Sequence, residues 1–186
     1  MATEVSRHLF TVHDYHRMVE ADILHEDDRV ELIRGEILAM SPIGPPHNGS
    51  VIRAINVLMP MVKDHALVSA QGAVRLDQYS EPQPDIVLLR ARDDFYTKQH
   101  PQPADILLIV EIADSSLDFD RQIKAGLYAE TGVVEYWVSD IPHRCIWAYT
   151  DAQGGTYQTV RQCAAGDVIV PRLLPDCQIP ADILLP

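Results

Sequence analysis

A single α/β domain, a mixed sheet flanked by helices, is the fold class that the order of elements predicts for this 186-residue chain. Two observations carry it. The runs "PDIVLLRA", "DILLIVEIA" and "VVEYWVSD" are almost continuously apolar and read as strands covered on both faces. Between the second and third lies a helical pattern, "SLDFDRQIKAGLYAETGV". A strand reached through a crossover helix usually pairs in parallel, whereas short connections favour antiparallel pairs, so a mixed sheet follows.

Taken in order, "VHDYHRMVEAD" predicts a short helix and "RVELIRGEILAMSP" an N-terminal β-hairpin turning at Arg34-Gly35, where glycine accepts a positive φ. Pro42, Pro45 and Pro46 predict a loop. From His47 to His65, Val51, Ile55, Leu58 and Val62 recur at three- and four-residue steps, which predicts an amphipathic helix despite Pro60 near its end. "ALVSAQGAVRLD" reads as the strand before "PDIVLLRA". In the crossover helix, Leu117, Ile123, Leu127 and Tyr128 form the apolar face, and Gly132 marks the stop. "CIWAYT", "TYQTV", "DVIV" and the Pro-rich end read as extra C-terminal strands that extend or cap the sheet, with the turn "DAQGG" between the first two. No repeat, low-complexity tract or linker divides residues 1–186, so one domain is expected.

Composition narrows the function classes. The first 20 residues hold no apolar stretch of leader length, and the densest apolar run, Ile106 to Val110, is far too short to span a bilayer. A cytoplasmic protein with no membrane partner is expected. Cys145, Cys163 and Cys177 are odd in number and have no Cys-x-x-Cys spacing, which points to packing rather than to disulfides or zinc. A net charge of -12 argues against general, charge-driven binding to nucleic acid, though not against a local basic patch.

The chemistry concentrates at two strand ends. Asp85 precedes the buried run Ile86 to Leu89, and Glu111 ends the run in "LLIVEIADSS". Two carboxylates at neighbouring strand ends of a dry sheet repel one another and need a counter-charge. Mg²⁺ or Mn²⁺ supplies one through oxygen ligands: the carboxylates of Asp85 and Glu111, a backbone carbonyl such as that of Ile112, and waters. Lys124 lies on the following helix, with Asp120 one turn before it on the same face, and can return over the strand ends to meet a phosphate or the attacking water.

These residues resemble a known family. "VELIRGEILAMSP", "PDIVLL" and "IVEIADSSLDFDRQIKAGLYAETGVVEYWVSD" are similar to the Uma-two family of restriction-endonuclease-like proteins, a branch of the PD-(D/E)XK nuclease superfamily. The resemblance covers roughly Val30 to Asp140 and implies an αβββαβ nuclease core whose metal is held by Asp85 and Glu111. The superfamily pattern places a lysine two residues after the second acid, where this chain has Ala113; Lys124 within "DRQIK" matches a lysine moved to the next helix. The turn after the strand reads Asp114-Ser115-Ser116, a departure from the usual Ser-Pro-Ser.

Glu31 and Glu36, in the family's first block, are candidates to face the site from the hairpin, Glu31 ahead of Glu36; solvated strand acids are the alternative. His47 opens the long helix and is a candidate proton shuttle, or a surface histidine. The remaining histidines show no ligand spacing, and Tyr136 and Trp137 read as core. The expectation is a Mg²⁺-dependent endonuclease acting on nucleic acid, DNA before RNA, as a homodimer that pools few basic residues. A catalytically silent binding or dimerisation module and a metal-dependent phosphohydrolase of small molecules are the alternatives.

Overall fold

The computed structural model describes residues 6–25 and 27–185. Helix α1 (Val12–Glu20) starts at a reciprocal cap: the Thr11 hydroxyl accepts from the Asp14 amide, and the Asp14 carboxylate accepts from the Thr11 amide. Strands β1 (Val30–Ile33) and β2 (Glu36–Ala39) form the expected hairpin, with Arg34 and Gly35 both at positive φ. Helix α2 runs from Pro45 to Val62. Pro45 and Pro46 therefore do not belong to a loop. They open the helix at positions where a missing N–H costs nothing.

Six strands form one mixed sheet: β3 (Leu67–Ala70), β4 (Ile86–Leu89), β5 (Ile106–Ala113), β6 (Glu135–Asp140), β7 (Cys145–Gln153) and β8 (Thr156–Ala164), adjacent in that order. Only the β5–β6 pair is parallel, as the crossover requires. Strand β3 is shorter than its apolar pattern suggests, ending where Gln71 turns to a φ of +52° and where its partner β4 begins. Near the C-terminus, β9 (Val168–Ile169) and β10 (Ile179–Pro180) make a separate two-stranded ribbon rather than a continuation of the sheet.

Side-chain alternation along β5 builds a core on each face. Val110 and Ile112 pack with Val51, Ala54, Leu58 and Val62 of α2. Ile109 and Ala113 pack on the other side with Val87, Leu127, Tyr128 and Ile33. Tyr136 and Trp137 are fully buried, and the three cysteines are buried and free.

The crossover helix comes in three pieces: α3 (Leu117–Phe119), a π-helical turn (Asp120–Lys124) and α4 (Ala125–Glu130). The wide turn shifts the helical phase. Ile123, expected on the apolar face, is 37% exposed, while Asp120 and Lys124 turn inward and are buried. The helix ends before Gly132 at a φ of +87°.

Candidate active site

The antiparallel register pairs Ile86 with Val110, which sets Asp85, one residue before β4, opposite Glu111. By alternation both acids share the face of Val87 and Ala113, the face that the π turn crosses. Bonds tie the two together. The Asp85 amide donates to Glu111 Oε2 at 3.2 Å, and Asp85 Oδ2 accepts from the Ile112 amide at 2.8 Å. His47, at the start of α2, places Nε2 3.0 Å from the same Oδ2. On the other acid, Glu111 Oε1 accepts from Lys124 Nζ at 2.9 Å and from the Tyr128 hydroxyl at 3.1 Å.

Lys124 Nζ also lies 3.2 Å from Glu31 Oε2, and that oxygen accepts from the Gln83 amide. Asp120 accepts a hydrogen bond at 2.6 Å from the hydroxyl of Ser116, which lies just before α3. These groups line a pocket of about 430 Å³ closed on one side by the segment from Leu38 to Gly44.

Four carboxylates, those of Glu31, Asp85, Glu111 and Asp120, thus line one pocket with Lys124, whose ammonium meets Glu111 and Glu31 directly. Burial alone would lower the pKa of Lys124, but Glu111, Glu31 and Asp120 outweigh it and raise it above the ordinary lysine value. Lys124 stays charged and cannot neutralise every acid. Burial, opposed by Lys124 and reinforced by Asp85, Asp120 and Glu31, pushes the Glu111 carboxyl well above the usual range. Burial likewise raises Asp120 to about 6 against the pull of Lys124 and Ser116. Burial and the neighbouring Glu111 raise Tyr128, which therefore remains a hydrogen-bond donor.

Of the sequence candidates for the site, Glu31, His47, Asp85, Glu111 and Lys124 line this pocket together with Ile112. Glu36 does not. It sits at the turn end of the hairpin and pairs with Arg7 at the surface. Tyr128 and Gln83 contact the acidic cluster without having been singled out as site residues. The signal for Tyr128 was its place one helical turn after Lys124, masked by its fit to the apolar face.

The donor set suits a hard divalent cation. His47 and the Ile112 amide occupy Asp85 Oδ2, leaving Oδ1 with no hydrogen bond among the described residues, and Glu111 Oε2 holds only one. Carboxylate oxygens with spare lone pairs and a net excess of negative charge fit Mg²⁺ or Mn²⁺.

A mixed sheet with a crossover helix folded over two strand-end acids is a nuclease fold. The chain belongs to the Uma2 family, whose model, described as "Putative restriction endonuclease", matches residues 12–182. A crystal structure described as a putative nuclease belonging to DUF820, from Anabaena variabilis ATCC 29413, shares the fold with a TM-score of 0.73. The two are 15% identical, and the match covers 94% of this chain and 97% of that one. No curated protein matches the sequence. The expected family and fold class are thereby borne out. Among the described residues no helix is long and apolar enough to cross a membrane.

Proposed function

We propose that the chain is a divalent-metal-dependent endonuclease acting on nucleic acid, with DNA as the favoured substrate. The observation that carries this reading is the surplus of carboxylates around Lys124 at the meeting of β4, β5 and the π turn. Asp85 and Glu111, with the Ile112 carbonyl, would hold Mg²⁺ or Mn²⁺. When bound, such an ion activates water and stabilises charge developing on phosphorus.

The chain's own groups have separable tasks. Lys124, buried and charged, is placed to neutralise a non-bridging phosphate oxygen or orient the nucleophile. Glu31 and Tyr128 fix the geometry of Lys124 and Glu111. His47 shares a hydrogen bond with Asp85 through Nε2, while its Nδ1 is buried with no partner among the described residues, so the ring is anchored on Asp85 and would exchange a proton only with a group admitted to the pocket. Gly44 and His47, both lining the pocket, bring the N-terminal end of α2 to it, where a helix favours phosphate.

A net charge of -12 weakens attraction to DNA, and a symmetric pair of chains would pool the few basic residues. The same acidity, with a walled pocket, favours a small phosphorylated molecule as the second reading. The test incubates plasmid, linear duplex, single-stranded DNA and RNA with Mg²⁺, Mn²⁺ or EDTA, beside a phosphate-release screen without polymer. Metal-dependent cleavage lost in Asp85→Ala supports the endonuclease; phosphate release alone replaces it with the second reading.

A further inference from the structure

A second group of ligand-bearing side chains lies outside the acidic pocket. His16 of α1, Glu81 and His100 bring one ligand atom each within 4.8 Å of one another. His16 Nε2 is 2.6 Å from Glu81 Oε1, and the two imidazole rings stand edge to face with centroids 6.2 Å apart. Glu81 is buried, 3% exposed, and its second oxygen, Oε2, is buried without a hydrogen-bond partner. An orphaned carboxylate oxygen is costly, and the His16 bond leaves it unsatisfied.

We propose that His16, Glu81 and His100 form a binding site for a divalent transition-metal ion of the Zn²⁺ class. Two imidazoles and one carboxylate are the donor set such ions prefer, whereas Mg²⁺ selects oxygens. Ligand atoms around a tetrahedral ion with bonds near 2.0 Å stand about 3.3 Å apart. That spacing falls between the 2.6 Å His16–Glu81 separation and the 4.8 Å bound, so side-chain adjustment suffices. His100 is exposed, which leaves the ion a route in. Arg75 and Lys98 line the same pocket, and their charge opposes any cation there, so only an ion that bonds strongly to nitrogen would be held against it.

The ion would join three segments: α1, the loop that carries His100, and the stretch beginning at Glu81. Glu81 is anchored to β1 by a bridge to Leu32, and the stretch leads through Gln83, which contacts Glu31, to Asp85. The site is therefore a clamp on the backbone that presents the first acid of the other pocket. It does not depend on the nuclease reading.

The test uses chelator-stripped, tag-free protein with Co²⁺ and Zn²⁺ as probes. The Asp85→Ala variant serves as the background, so that uptake by the acidic pocket is removed from the count. One Co²⁺ per chain with visible ligand-field bands is expected in that background, and none after adding His16→Ala or His100→Ala. In the wild-type chain, Zn²⁺ but not Mg²⁺ should slow tryptic cleavage at Lys98, and His100→Ala should remove the protection. Unchanged Co²⁺ spectra in both histidine variants, or no Co²⁺ uptake by the background, overturns the site. Because the readouts are spectra, stoichiometry and proteolysis, failure of DNA cleavage leaves the outcome untouched.

Discussion

Replacing Lys124 by methionine removes the ammonium while keeping most of the side chain's volume. Lys124 Nζ stands 2.9 Å from Glu111 and 3.2 Å from Glu31. At an effective dielectric near 20, each attraction amounts to about 5 to 6 kcal/mol, most of it offset by the cost of drying the charges. Breaking a buried pair from one side costs about 3 kcal/mol net, a fall in Tm of roughly 6 to 12 °C for a chain of this size. Mg²⁺ should restore part of that loss. The vacated charge no longer opposes the cation, so the metal-induced rise in Tm should be equal to or larger than in the wild type. Cleavage should nevertheless fall by about 10²- to 10³-fold, the effect of losing one donor aimed at developing charge. Thermal melts in EDTA and in Mg²⁺, with initial cleavage rates, read all three effects. A Lys124→Met protein that cleaves at the wild-type rate, or that melts normally in EDTA, would refute the role given to Lys124.

Three further outcomes follow from the same geometry. Asp120 titrates near 6 in the fold against 3.8 for the free side chain, so it favours folding below its unfolded pKa and loses that contribution as pH rises through 6. Asp120→Asn, compared with wild type by urea unfolding in EDTA, should gain about 1.5 kcal/mol of relative stability between pH 5 and pH 8, and a flat difference contradicts the shift. Tyr128→Phe leaves Glu111 Oε1 bonded to Lys124 and should cost only about 1 kcal/mol in urea unfolding; a loss above about 3 kcal/mol would show that the hydroxyl does more than hold Glu111. Binding to duplex DNA should be weak, fall steeply with salt and accompany a dimer in sedimentation, whereas a monomer with salt-insensitive binding contradicts the pooled-charge argument.

The sheet was legible in the sequence because β4 is an unbroken apolar run, β5 and β6 are mostly apolar, and the connection between β5 and β6 has helical spacing. The acids were legible because Asp85 and Glu111 interrupt that apolarity at strand ends. The π turn was not. Periodicity assumes 3.6 residues per turn, so the wide turn at Asp120–Lys124 reverses expectation locally, exposing Ile123 and burying two charged groups. Pro45 and Pro46 are equally compatible with a loop and a first helical turn, and only the packed position of α2 decides between them. His16, Glu81 and His100 gave no spacing signal, because their proximity comes from α1 packing against a segment 65 residues away from His16.

The carboxylates at the ends of β4 and β5 are expected to hold one hard divalent cation. Calorimetric titration of Mg²⁺ into the wild type, Asp85→Asn and Glu111→Gln proteins, each verified as folded by circular dichroism, addresses it directly. One Mg²⁺ per wild-type chain and none in either variant is expected. Wild-type Mg²⁺ binding by Asp85→Asn or by Glu111→Gln would contradict it.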